Sequence, residues 1–189
     1  MLNISKVVMA GTMAVAFVTF GAQAADQGQG VINFKGSVID APCGIEPESA
    51  DQSIDFGQLS KANLEAAGTS GKKDLSIKLV NCDTTALGKL KSGVKVLFSG
   101  TTVSGQTGEL GTAGGTGTAI VISGQDGKMV TFGTAGSTTA LSGTSGTLHY
   151  TTWVKRATGT KDASSGAETV TTIKEGDFSA IANFNLIYE

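Results

Sequence analysis

Hydrophobic and polar residues alternate along two segments of this chain, one near each end. In residues 28–39, one face of an extended strand carries Ile32, Phe34, Gly36 and Val38, and the residues between them include Asn33, Lys35 and Ser37. In residues 178–188, one face carries Phe178, Ala180, Ala182, Phe184, Leu186 and Tyr188. This alternation predicts half-buried β-strands, and each strand must bury its apolar face against a neighbour.

The chain between these segments has the pattern of short strands separated by turns. Strands are predicted over residues 38–45, 52–59, 75–82, 94–98, 119–123, 129–132, 148–156 and 178–188. Residues 59–67 predict a short helical turn that Ser60 caps and Gly68 ends. Because no long helical pattern accompanies these strands, we expect an all-β antiparallel sandwich, with the Gly-, Thr- and Ser-rich stretches 100–117 and 133–146 as surface loops.

The first 24 residues have the composition of a removable secretory signal peptide. Lys6 precedes an apolar run, residues 7–20, and Ala22-Gln23-Ala24 supplies the small residues of a cleavage site. A run of about 14 residues is too short to cross roughly 30 Å of hydrocarbon, which argues against a membrane anchor. We therefore expect three parts: a signal peptide at 1–24, an N-terminal extension at 25–38 and a domain at 39–189.

Charge and cysteine content narrow the functional classes. Of 14 basic and 16 acidic side chains only Lys6 lies in the leader, and no basic block follows, so a nucleic-acid partner is not expected. The two cysteines, Cys43 and Cys82, both lie in the exported part, where an oxidising compartment favours a disulfide between them.

No arrangement of residues indicates catalysis, a metal site or a cofactor. The only histidine, His149, has no Gly-x-Ser-x-Gly nucleophile turn to serve, because Gly143-Thr144-Ser145-Gly146 does not fit that motif. Asp51 lies directly before the predicted strand 52–59 and Asp55 lies within it, without an obvious second carboxylate, and the glycine runs lack the Lys-Ser/Thr ending of a phosphate loop. We therefore expect neither an enzyme nor a bound metal or cofactor.

The C-terminal strand raises the question of what lies beside it. An apolar strand that ends a domain normally lies inside a sheet, and no sequence remains after it to supply another strand. The alternating N-terminal segment is the obvious spare strand. Either the chain's own N-terminus fills the gap, or a neighbouring molecule fills it and each N-terminus passes to the next molecule.

The chain resembles the chaperone–usher pilins, in particular the major shaft subunits of P pili. The resemblance covers nearly the whole exported chain and rests on residues 28–43, 49–60, 79–82, 114–120, 148–150 and 178–188. Gly176, fourteenth from the end, and the penultimate Tyr188 fit the C-terminal signature of that family.

The resemblance implies a fold and a mode of assembly. It implies an immunoglobulin-like sandwich that lacks its last strand, which a periplasmic chaperone covers until an outer-membrane usher exchanges that cover for the N-terminal extension of the next subunit. The implied donor residues are Gly30, Ile32, Phe34, Gly36 and Val38. The implied groove residues are Gly176, Phe184, Leu186 and Tyr188.

The implied function is that of a major structural subunit of a fimbria on the outer surface of a Gram-negative bacterium. Its partners would be identical subunits in a helical fibre, with minor pilins and an adhesin at the tip. Two alternatives stay open: a minor or adaptor pilin of the same system, and a self-complemented monomeric β-domain.

Overall fold

The computed structural model describes residues 30–89, 93–161 and 168–189, and most of its regular structure is antiparallel β-strand. The expected signal peptide lies outside these residues. The strands are β1 (Gly44–Ile45), β2 (Lys73–Val80), β3 (Val94–Gly100), β4 (Leu110–Gly111), β5 (Thr118–Gly124), β6 (Gly146–Arg156), β7 (Thr158–Lys161), β8 (Glu168–Val170) and β9 (Ala182–Tyr188). The helices are α1 (Pro47–Ala50), α2 (Lys61–Ala67) and α3 (Thr84–Leu87).

Two sheets face each other across the core. The first sheet has the order β1-β2-β6-β5-β4, and the second sheet pairs β3 with β9. Residues 135–139 add to the free side of β3 through isolated bridges at Thr139 and Ala135. A separate two-stranded sheet pairs β7 with β8. The alternating residues of the two inner faces fill the core, as expected for a sandwich: they include Ile77, Leu79 and Leu148 from the first sheet and Val94, Val96 and Phe98 from the second.

The predicted disulfide is confirmed. Cys43 and Cys82 are joined, and both are buried at the end of the sandwich where β1 pairs with β2. The two cysteines are 39 residues apart in sequence, and the bond closes the loop between them. On the chain-entropy account, such a loop closure stabilises the fold by about 4 kcal/mol.

The predicted helical turn is also confirmed, and its ends follow from local chemistry. The side chain of Ser60 accepts a hydrogen bond from the backbone N–H of Asn63, which caps α2 at its start. Gly68 ends the helix at φ 75°, a left-handed conformation that glycine adopts without steric cost. The four-residue helices α1 and α3 were not predicted. The side chain of Asp83 caps α3 by accepting hydrogen bonds from the backbone N–H groups of Thr85 and Ala86.

Several predicted strands differ in extent from the structure. The first, expected at 38–45, is confined to Gly44–Ile45, and the last begins at Ala182 rather than at residue 178. Residues 129–132 form no strand, because Val130 donates to Ile122 whereas Phe132 donates to Thr107, so that the segment passes from one partner to another after two residues. Residues 52–59 form no strand either.

Glu109, the residue before β4, forms a partly buried ion pair with β6 and a hydrogen bond with β7. Lys155 donates to the carboxylate of Glu109, and the backbone N–H of Thr158 donates to the same carboxylate at 2.9 Å. Burial raises the pKa of Glu109, but the hydrogen bonds from Lys155 and Thr158 outweigh it and leave that pKa below its ordinary value.

Within the described residues, no helix is long and apolar enough to cross a membrane.

Candidate functional site

Among the described residues, β9 is bonded to a neighbouring strand on one side only. At its end, Gly93 and Glu189 exchange both of their backbone hydrogen bonds, each 2.9 Å long. Hydrogen-bonded residues alternate with non-hydrogen-bonded ones along an antiparallel pair. The odd-numbered residues of β9 therefore point their backbone N–H and C=O groups toward β3, and the even-numbered residues point theirs toward the opposite edge. No strand in the described part of the chain pairs with that opposite edge.

Residues 52–59 form a second extended segment that has no strand partner among the described residues. They were predicted as a strand, and their burial keeps the alternation of one: Ile54 and Phe56 are half-buried, and the residues beside each of them are exposed. The ring of Phe56 lies 6.4 Å from the ring of Phe178, which precedes β9. This segment has the side-chain pattern of a strand but no ladder partner among the described residues, which is why it is not a strand.

A groove lies between the free edge of β9 and this segment. It is a cavity of about 610 Å³ lined by residues 49–52, Ile54 and Phe56 and by residues 180–184. Its floor includes Phe98, Leu110 and Ile122, which are 3%, 3% and 4% exposed and belong to the hydrophobic core. The groove therefore opens directly onto the core of the sandwich.

The predicted groove residues lie along β9 or just before it. Phe184 lines the groove, and Leu186 and Tyr188 continue the same face of β9 against the core. Gly176 borders a neighbouring cavity of about 780 Å³ that Ile54 and Phe56 also line. Gly176 has φ 140°, a backbone conformation that other residues adopt only with strain, so the structure gives a reason for glycine there.

The hydroxyl group of Tyr188 is a polar atom on the face of β9 that packs against the core. It is buried, and no hydrogen-bond partner lies within reach among the described residues. Burial raises the pKa of Tyr188 above its ordinary value, so the hydroxyl stays neutral at physiological pH.

The predicted donor residues are exposed. Residues 30–37 belong to an N-terminal unit that ends at Ser37, and none of them is in a strand. The side chain of Phe34 is 90% exposed and that of Val38, the first residue of the following unit, is 103% exposed. A Cβ added to Gly36 would meet no atom within 4 Å, so this exposed conformation gives no reason for glycine at position 36.

Sequence reasoning did not place Ile54 and Phe56 in the site, although their alternation was recognised. The missing information was that their segment has no strand partner among the described residues, which only the sheet order reveals. His149 is exposed and its Nδ1 lies 3.3 Å from Ser76 Oγ. The described residues contain no group of three metal-ligating side chains.

Comparisons with known proteins point to one family. The family described as fimbrial protein matches residues 32–189. The Pap fimbrial major pilin protein of Escherichia coli is 48% identical over 192 residues, which cover 97% of this chain and 99% of the relative. The Fimbria A protein of Serratia marcescens is 34% identical over the full length of both chains.

Solved structures agree with this result. The crystal structure of the P pilus rod subunit PapA superposes with a TM-score of 0.68 at 49% identity, covering 79% of this chain and all of the other. A chaperone–usher pilus structure that addresses rod uncoiling gives a TM-score of 0.74 at 50% identity, covering 89% of this chain and all of the other.

Proposed function

The chain belongs to the fimbrial protein family, and from that premise we propose that it is the major structural subunit of a fimbria, which polymerises head to tail by donor-strand exchange. One observation carries the proposal. The immunoglobulin-like sandwich has a groove with an apolar floor, between the free edge of β9 and the segment 52–59, which has no strand partner among the described residues. An added strand would hydrogen-bond to the free edge of β9 and place alternate side chains on the floor.

The N-terminal extension has the pattern that such a groove requires. Its face residues Ile32, Phe34 and Val38 are exposed, and each would contribute about 1.5–3 kcal/mol on full burial. Every strand pair among the described residues is antiparallel, so we expect the donor to run antiparallel to β9.

One antiparallel register uses the whole of β9. In that register Ile32, Phe34, Gly36 and Val38 stand opposite Tyr188, Leu186, Phe184 and Ala182, respectively. Gly36 then lies beside Phe184, an aromatic side chain that already lines the groove. The pairing thus supplies the reason for glycine that the exposed extension lacks.

The exposed groove accounts for the partners of the subunit before assembly. An unpaired apolar edge is a site of aggregation, so a periplasmic chaperone that lends a strand would keep the subunit soluble. An outer-membrane usher would then exchange that strand for the extension of the next subunit. Head-to-tail donation joins two different surfaces and therefore builds an open filament, outside the cell, with minor pilins and an adhesin at its tip.

Deleting residues 25–38, while keeping the signal peptide, tests this function. We expect the deleted subunit to be exported and captured by its chaperone but to form no fibres with itself, as measured by size-exclusion chromatography and electron microscopy. A matched control, Lys35→Arg, alters the outward face of the extension only and should assemble. A full-length protein that is monomeric without any partner would instead identify the self-complemented domain.

A further inference from the structure

Two exposed isoleucines lie where one subunit would enter the next. Ile181 is 79% exposed and directly precedes β9, at one end of the groove. It also borders a cavity of about 960 Å³ beyond that end. Ile39 is 55% exposed and follows the proposed donor residues directly. We propose that Ile39 of one subunit packs on Ile181 of the next, forming a second apolar contact outside the groove.

The alternation of side chains places both residues on the same face. Along β9 the even-numbered side chains, such as Phe184 and Leu186, pack against the core, so the odd-numbered ones point outward, and Ile181 continues the outward series. In the donor the even-numbered side chains enter the groove, so Ile39 also points outward. Both isoleucines would therefore lie on the outer surface of the completed sheet.

The register brings them opposite each other. If Val38 stands opposite Ala182, the next pair in an antiparallel ladder is Ile39 with Ile181. Because the even-numbered residues of β9 supply the hydrogen bonds at this edge, the pair of Ile39 and Ile181 is a non-hydrogen-bonded pair. Such pairs have Cα atoms about 4.5 Å apart and bring side chains closest together.

The contact would cover the place where the donor leaves the groove. The last hydrogen bonds of the donor strand lie at this end, where water has the freest access. Two packed isoleucines exclude water from those bonds and give each large exposed side chain a partner in the assembled fibre. This inference rests on the proposed function, because it needs a donor strand from a second copy.

Cysteine pairing in the assembled fibre tests the contact. The variant Ile39→Cys/Ile181→Cys, oxidised after assembly, should give a ladder of covalent multimers on a non-reducing denaturing gel, because a separation of about 4.5 Å suits a disulfide. The control Ile39→Cys/Asn185→Cys also carries two outward-facing positions, but the second is four residues further along the strand, and it should give no ladder. Intact fibres without a ladder, or equal ladders from both variants, would contradict the contact. Neither result would contradict the proposed donor-strand exchange.

A double-mutant cycle covers the case in which the cysteine variants do not assemble. Ile39→Ala and Ile181→Ala should each speed the dissociation of fibres in denaturant several-fold, and the double variant should be no faster than the faster single one. Independent, multiplying effects would overturn the contact. Failure of the native chain to form fibres would overturn the proposed function itself.

Discussion

At the scale of single residues, Gly36 has the sharpest proposed role. In the register above, its missing side chain leaves room for Phe184, which already lines the groove. We predict that Gly36→Val or Gly36→Arg leaves the subunit folded with its chaperone and blocks polymerisation. Ser37→Val is the matched control, because position 37 points outward, and it should assemble. Fibres of normal length from Gly36→Arg on electron micrographs would contradict the register.

Tyr188 allows the ring and the hydroxyl to be separated. The ring packs on the core, whereas the hydroxyl is buried without a partner among the described residues. Tyr188→Phe keeps the packing and removes an unsatisfied polar group, so we predict that the free energy of unfolding of the fibre subunit is unchanged or slightly higher. Denaturant titration of assembled fibres measures this. A loss of more than about 1 kcal/mol would mean that the hydroxyl gains a partner on assembly.

Glu109 should make stability depend on acidity. Its pKa in the folded protein lies below the ordinary value, so its carboxylate stabilises the fold at neutral pH, and that stabilisation is lost as the pH falls through the lowered pKa. We predict that Glu109→Gln costs about 1–3 kcal/mol at pH 7 and a smaller amount in acid, where the native carboxyl is protonated. Thermal unfolding at both pH values measures the difference. An equal loss at both would show that the carboxylate charge contributes nothing.

At the scale of elements, β9 contributes side chains both to the core and to the lining of the groove. Its inner face packs Phe184, Leu186 and Tyr188 on the core, and without it β3 loses its partner strand. We predict that truncation of residues 184–189 abolishes chaperone capture, so that the subunit aggregates or is degraded in the periplasm. Glu189→Gln is the control, because it removes only the surface ion pair with Lys95, a type worth about 0–1 kcal/mol. A soluble chaperone complex of the truncated subunit would place the groove elsewhere.

The elements show how far sequence patterns reach. The strands at 75–82 and 148–156 and the helical turn with its Ser60 cap followed from local signals, because alternation and capping depend on nearby residues. The disulfide followed from the presence of only two cysteines in an exported chain, which leaves a single possible pairing. Residues 52–59 did not form the expected strand, because a strand also needs a partner, and burial alternation alone does not supply one. For the same reason, the sequence indicated β9 and the N-terminal extension as site residues but missed Ile54 and Phe56.

At the scale of the whole molecule, the proposed assembly treats the groove and the extension as two complementary parts that one subunit offers to two different neighbours. The groove presents an apolar floor of core residues, and the extension presents an exposed row of apolar side chains. A subunit that receives a strand from one neighbour and gives its own to another makes a heterologous contact, which extends as an open filament when the rotation between subunits does not close. The repeated exchange of one strand therefore accounts for a fibre.

Amide hydrogen exchange along β9 tests the insertion of a strand from another molecule most directly. The sample is the subunit lacking residues 25–38, refolded with a separate peptide of residues 28–39, and the peptide carrying Gly36→Arg is the control. The odd-numbered amides of Asn185 and Ile187 face β3 and serve as an internal reference for protected groups. The account predicts that the even-numbered amides of Phe184, Leu186 and Tyr188 slow to the rate of that reference with the native peptide only. Even-numbered amides that stay fast with the native peptide, or that are already slow without it, would contradict the account.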